Sequence, residues 1–245
     1  MQTTPRDFQL VFLRKEQLSK DTCSFYFDRK GVDFGFLPGQ YIRMTLAVVN
    51  PDNRGTARFF TIASSPLETD TIMITTRVLE SSFKKTLASL PTGTAVQFFG
   101  PVGNFVFRQE EKQHHIFLAG GIGITPFHSM ITYAAKQKVR TQITLFVSFV
   151  TVEDIVFYKE LTKISEENKQ IRIVYTLTQP ELSTTSWSGE TGRLSEDMLK
   201  KYDLIDQNRL YFVAGPMQMV TAMIDMLFVM KIPKEKVRKE NFVGY

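Results

Sequence analysis

Two stretches of this chain carry residue types and spacings able to hold an anion. Residues 116–128 read Ile-Phe-Leu-Ala-Gly-Gly-Ile-Gly-Ile-Thr-Pro-Phe-His. The apolar opening suits a buried strand, and the segment after Thr125-Pro126 has the spacing of an amphipathic helix. In such a strand, loop and helix, Thr125 can cap the helix through its hydroxyl, and Pro126 fits the first helical position, where no N–H is needed. Gly120, Gly121 and Gly123 let the backbone amides of the loop, through Ile124, approach a phosphate closely. The spacing departs from Gly-x-Gly-x-x-Gly, so a plain tight turn explains the loop by itself equally well. The second stretch, Ser81-Ser82-Phe83-Lys84-Lys85-Thr86-Leu87, reads as a short helix with serine at its start. The free amides and positive dipole end there can hold an anion or belong to an ordinary capped connector.

Bulk composition narrows the chemistry. At 245 residues, 43% hydrophobic and 22% charged, the chain is a folded protein long enough for two domains. The single cysteine, Cys23, makes no internal disulfide, which fits a reduced cytoplasmic setting, and it cannot ligate an iron–sulfur cluster. The three histidines show no zinc spacing, so no metal site is expected and redox chemistry needs an organic cofactor. The net charge of +5 comes from basic residues spread along the chain except for Lys231, Lys234, Lys236, Arg238 and Lys239, which suit a solvated face or an acidic redox partner better than nucleic acid. The first residues lack the apolar core of a signal peptide. Residues 210–230 have the length and apolarity of a membrane span, but Gly215-Pro216, Gln218 and Asp225 argue for strand, turn and helix instead, so no span is expected.

The elements that must position these stretches fall into two grammars. Segments 8–13, 22–27, 40–46, 58–62, 71–78 and 94–99 alternate with period two, with turns at Pro38-Gly39, Asp52-Asn53 and 101–103. They predict a small antiparallel β-barrel over residues 1–108. In residues 109–245 apolar runs at 116–119, 143–148, 171–177 and 210–214 alternate with helical segments, which predicts an α/β domain built on a parallel sheet. Ligands collect at the carboxyl ends of such strands where the winding reverses, and both the 120–126 loop and Gly215-Pro216-Met217 lie at strand ends.

With that order in view, the sequence resembles the ferredoxin-NADP reductase-like flavoprotein family over nearly its whole length. Phe36-Leu37-Pro38-Gly39-Gln40-Tyr41 is similar to the family's strand entry, and Arg58-Phe59-Phe60-Thr61 to its flavin motif. Gly100-Pro101-Val102-Gly103-Asn104-Phe105 is similar to the segment closing the flavin barrel. Residues 120–126 and Gly215-Pro216 with Met219 resemble its two nucleotide loops, and residues 240–245 its aromatic tail.

The resemblance implies FAD and NAD(P)H as cofactors. It implies that Arg58 pairs with the flavin diphosphate, whose oxygens match a guanidinium fork, helped by Ser81, Ser82 and more weakly Thr76. Phe60 would lie flat on the isoalloxazine, Thr61 would face the flavin N5, and Tyr245 would cover the flavin and move aside for hydride transfer. Glu240 is a candidate proton relay. Gly120, Gly121, Gly123, Ile124, Thr125, Pro126, Ser148, Gly215, Pro216 and Met217 would hold the nicotinamide dinucleotide. The family's usual cysteine before Gly-Pro is Ala214 here, which bears on the rate and geometry of transfer. Residues 148–154 offer no Lys or Arg for a 2′-phosphate, which favours NADH, while Arg193 is the nearest basic alternative. The implied activity is hydride transfer from NAD(P)H to FAD, with electrons passed to a separate acceptor: a ferredoxin- or flavodoxin-like protein, an oxygenase or a small molecule. A non-catalytic flavin- or nucleotide-binding subunit of a larger complex is the competing reading.

Overall fold

The computed structural model describes residues 4–242, and Tyr245 with its implied role lies outside them. The period-two half forms one antiparallel sheet of β1 (Arg6–Gln17), β2 (Thr22–Asp28), β3 (Tyr41–Thr45), β4 (Ala57–Thr61), β5 (Thr71–Arg77) and β6 (Ala95–Val102). Their spatial order is β4-β3-β6-β1-β2-β5. Alternation sends Ile42 and Met44 of β3 into the core and leaves Arg43 exposed. On β2 the alternation fails at Ser24, which is buried and shares a hydrogen bond of 2.7 Å with the Thr75 hydroxyl.

The predicted barrel is a curled sheet with β4 and β5 at its edges. Just past β4 the backbone N–H groups of Ala63 and Ser64 donate to the Met73 carbonyl at 2.8 and 3.4 Å, which narrows the gap between those edges. Strand β6 continues through Pro101, so the turn predicted at 101–103 falls later. Gly103 has φ 105°, and a Cβ there would come within 2.7 Å of the Tyr41 ring. Helix α1 (Ser82–Ala88) connects β5 to β6.

The second half forms a fully parallel sheet: β7 (His115–Gly120), β8 (Ile143–Phe149), β9 (Ile171–Leu177), β10 (Glu190–Thr191), β11 (Leu210–Pro216) and β12 (Val237–Phe242). Their order is β10-β9-β8-β7-β11-β12, so the winding reverses between β7 and β11. Every residue of β7 is buried, as a parallel strand covered on both faces requires. Helices α2 (Thr125–Lys136), α3 (Tyr158–Glu167), α4 (Glu196–Lys201) and α5 (Met217–Val229) complete the alternation. The expected strand, turn and helix at 210–230 is β11 followed by α5, and among the described residues no helix is long and apolar enough to cross a membrane.

Helix α3 does not follow directly from β8. Thr151 and Asp154 instead cap a separate 3-10 turn, Val152–Asp154, and Phe157 with φ 61° breaks the path between them. Strand β12 has no counterpart among the apolar runs of the sequence and takes in the first residues of the expected aromatic tail. Its sequence Val-Arg-Lys-Glu-Asn-Phe carries no apolar alternation, which an edge strand does not need. The basic cluster near it is not one solvated face, because Arg238 turns to Glu111 through both terminal nitrogens and lies 5.0 Å over the Phe212 ring.

Two compact units contain these sheets. One runs through Phe107 and includes His128–Tyr133 of α2, and the other holds Arg108–Phe127 and the chain from Ala134 onward. Within the first unit a ring nitrogen of His128 lies 2.7 Å from the Ala63 carbonyl, and Ser129 donates to the Ser64 carbonyl at 2.7 Å. Thr125, His128, Ser129 and Thr132 of α2 are buried rather than presented to water, and each has a hydrogen-bond partner inside.

Candidate functional site

In the first unit the site grows from β4. Phe60 and Arg58 stand opposite Ile42 and Met44 in the β3 register, whereas Phe59 and Thr61 stand opposite Arg43 and Tyr41. Residues directly opposite share a face. Phe60 therefore points into the core, 4% exposed, with its ring 5.9 Å from Phe83. Phe60, implied to lie flat on the isoalloxazine, is packed into the core here, and the exposed ring of the motif is Phe59, 58% accessible and edge-on to Tyr41 at 5.5 Å. Thr61 is buried and cannot share a face with its neighbour Phe60 on a regular strand.

Arg58 is the centre of a polar cluster. Its Nη1 donates to the carbonyls of Arg54, Gly55 and Ala57 at 2.8, 3.0 and 2.8 Å, and its Nη2 to Asp52 Oδ1 at 2.6 Å. Its Nε is buried and has no hydrogen-bond partner among the described residues. The Asp52 carboxylate also accepts from the Arg54 amide at 3.0 Å and the Ser81 hydroxyl at 3.3 Å, and the Asp52 N–H donates to Ser82 Oγ at 3.1 Å. Burial would raise the Asp52 carboxyl, but the Arg54 amide and Arg58 outweigh it and hold the group below the usual range. Ser81 occupies the cap position of α1, yet its hydroxyl serves Asp52 rather than a helix amide.

Lys84 on α1 is buried. Burial, with Arg54, Arg77 and Arg58 nearby, pushes its pKa down to about 8. Arg77 grips Asp21 through Nε and Nη2 at 3.1 and 2.6 Å. Thr76 is fully buried opposite Cys23, and its hydroxyl donates to the Arg77 carbonyl at 3.4 Å rather than to this cluster. Four cations thus stand around two carboxylates, leaving a surplus of two positive charges beside two serine hydroxyls and an orphaned guanidinium N–H. That donor set fits a diphosphate. Asp52 and Lys84 were missed in the sequence; the only hint was a carboxylate set inside a basic run with Arg54 and Arg58.

In the second unit the site grows from the ends of β7 and β11. A 3-10 turn, Gly121–Ile124, runs into α2 without a break, and Gly120 holds the extended cap position. Thr125 is already helical, at φ −57° and ψ −45°, and its hydroxyl donates to the Ile122 carbonyl at 3.1 Å. The expected Thr125 cap is corrected for that reason: the helical path begins before it. Pro126 is consequently the second residue of α2, not the first.

The three glycines differ. A Cβ on Gly123 would lie 2.4 Å from the Ala214 carbonyl oxygen and 2.6 Å from Gly215 Cα, and one on Gly120 would lie 2.1 Å from Met219 Sδ. Gly121, at φ 50°, faces open space. Two of them therefore let the two loops touch, and the third supplies the left-handed turn. The packing of Met219 against both loops was not visible in the sequence.

Other implied residues fall around that edge. Ser148 ends opposite Gly120 in the β7–β8 register, half-buried, and Pro216 and Met217 are exposed where α5 begins. Glu240 stands opposite the fully buried Ala214, and burial raises its carboxyl above the ordinary glutamate value. Arg193 is exposed just beyond β10, on the opposite side of the sheet order from β11. Between them, Glu153 accepts from the Thr184 N–H and hydroxyl at 2.9 and 2.6 Å, which holds its carboxyl down at about 2.

A curled antiparallel sheet carrying a diphosphate-type donor cluster, followed by a parallel sheet with glycine loops at its reversal point, defines the two-domain FAD-dependent NAD(P)H oxidoreductases. Family models match accordingly: an oxidoreductase FAD-binding domain over residues 9–107 and an oxidoreductase NAD-binding domain over residues 117–225. NADH-cytochrome b5 reductase 1 of Pyricularia oryzae is 28% identical over 81% of this chain and 66% of its own length. The protein of that name from Candida glabrata is 26% identical over 96% of this chain and 83% of its own. An Amycolatopsis cytochrome P450 reductase superposes with a TM-score of 0.83 at 18% identity, covering 97% of this chain and 70% of that one. The chain belongs to the ferredoxin-NADP reductase family of FAD- and NAD-binding oxidoreductases.

Proposed function

We propose that this chain draws electrons from NADH and delivers them to a one-electron haem protein of the cytochrome b5 kind. The acceptor follows the relatives named NADH-cytochrome b5 reductase, and the net charge of +5 suits an acidic partner. The preference for NADH rests on one observation, the acidic end of β8. Sheets of this type read the ribose 2′ position there. Glu153 is pinned by Thr184 and ionised at neutral pH, Asp154 follows it, and residues 148–154 hold no Lys or Arg. A 2′-phosphate would bring like charge to that edge.

Bound FAD would supply the chemistry, taking hydride from the nicotinamide and releasing electrons singly. Arg58, Ser81 and Ser82 bind its diphosphate, with Lys84 adding charge. Thr61 offers its hydroxyl or amide to the flavin N5. The backbone from Gly120 to Ile124, with Ser148, Gly215, Pro216 and Met217, cradles the dinucleotide. Glu240, opposite the buried Ala214 and with its carboxyl raised by burial, is the proton relay of this reading.

The test is anaerobic reduction of the purified yellow protein by NADH and NADPH, followed by turnover with cytochrome b5 or ferredoxin. Faster bleaching by NADH and faster reduction of cytochrome b5 support the reading. Equal rates with NADPH, abolished in Arg193→Ala, would assign the nucleotide preference to Arg193 instead.

A further inference from the structure

We propose that Asp52 is a built-in competitor of the flavin diphosphate, a proposal that rests on the assignment of that diphosphate to Arg58, Ser81 and Ser82. Each of those three groups is bonded to Asp52: Arg58 Nη2 at 2.6 Å, the Ser81 hydroxyl at 3.3 Å, and Ser82 Oγ through the Asp52 amide at 3.1 Å. Arg58 cannot turn another edge outward, because Nη1 is fixed by the three carbonyls of Arg54, Gly55 and Ala57. An anion reaching this guanidinium has only Nη2, held by Asp52, and the orphaned Nε. Two anions on one edge repel each other. The diphosphate therefore binds by taking Nη2 and Ser81 from the carboxylate.

The loop that carries Asp52 turns sharply on either side of it. Asn50 and Gly55 adopt left-handed conformations at φ 53° and 71°, and nothing lies within 4 Å of a Cβ placed on Gly55. The carboxylate also explains how so many cations coexist in one place. Arg54, Arg58 and Arg77 stand near Lys84, whose pKa is lowered first by burial and then by those three cations. Asp52 offsets their repulsion in the flavin-free protein, and the diphosphate offsets it after binding.

The experiment measures FAD dissociation constants by flavin fluorescence quenching on flavin-free protein, together with the melting temperature of that protein. Asp52→Asn keeps the shape and removes the charge. It should bind FAD about five-fold more tightly, the size expected from relieving one partly exposed ion pair, while the flavin-free protein melts at a lower temperature. Asp52→Ala should move both quantities in the same direction, which covers failure of either variant to fold. In an Arg58→Ala background the Asp52 substitution should no longer tighten FAD. Equal or weaker FAD binding by both Asp52 variants, with Arg58 intact, overturns the proposal and makes Asp52 a positioning residue. Unchanged FAD binding in Arg58→Ala alone overturns instead the diphosphate assignment on which the proposal stands.

Discussion

The two anion-directed sites of this chain are built from different materials. In the first unit charge does the selecting: Arg58, Lys84, Asp52 and two serines meet around α1 through side-chain contacts. In the second unit shape does it: Gly123 lies against Ala214 and Gly215, Gly120 against Met219, and the turn presents backbone amides. A side-chain site can be tuned and opposed by a neighbouring carboxylate. A backbone site has no such freedom, because its geometry is the packing itself.

The largest effect should follow Gly123→Ala. The nearest atoms are backbone and cannot withdraw, so the substitution should cost about 3 kcal/mol by overpacking and abolish NADH binding while FAD stays bound. A urea melt and an anaerobic titration check this; a wild-type melt would erase the contrast between the sites. Arg58→Ala should come next, releasing FAD with a loss of about 2 kcal/mol in binding and lowering the urea midpoint as well, because Nη1 ties the carbonyls of Arg54, Gly55 and Ala57. Arg58→Lys should recover only part of the affinity, since the charge returns without the fork.

Gly120→Ala should cost about 1–2 kcal/mol, and Met219→Ala in the same chain should restore most of it, because the obstructing atom is a side-chain sulfur at 2.1 Å. An additive double mutant would show that the sulfur is not the obstacle. Gly121→Ala should be milder, about 1 kcal/mol, since its φ of 50° is the only penalty and the space is open.

The smallest effect concerns pH. Burial raises the folded Glu240 carboxyl above its unfolded value of 4.5, so protonation favours the fold. That contribution is fully present below about pH 4.5 and is lost as pH rises through the raised value. Glu240→Gln should flatten the pH dependence of the urea midpoint above that point; parallel curves for the two proteins would count against it.

Some of this architecture was legible as text. The alternation of Ile42 and Met44 with Arg43, and the apolar runs of β7 and β11, are direct consequences of which faces must leave water. Strand β12 escaped notice because an edge strand needs backbone partners, not apolar ones. Phe60 and Thr61 were assigned together from a motif, yet a strand sends neighbours to opposite faces.

By itself the sequence determined the two grammars, the glycine loops, Arg58 beside the α1 serines, and the absence of cysteines for a cluster. Those properties depend on residue type and local period. Only the tertiary structure decided that Asp52 lies on Arg58 and Ser81, the latter 29 residues away, that Met219 fills the space a Cβ on Gly120 would need, and that Phe59 rather than Phe60 is exposed. Such contacts depend on which distant segments the two sheets bring side by side, and no local pattern encodes a partner.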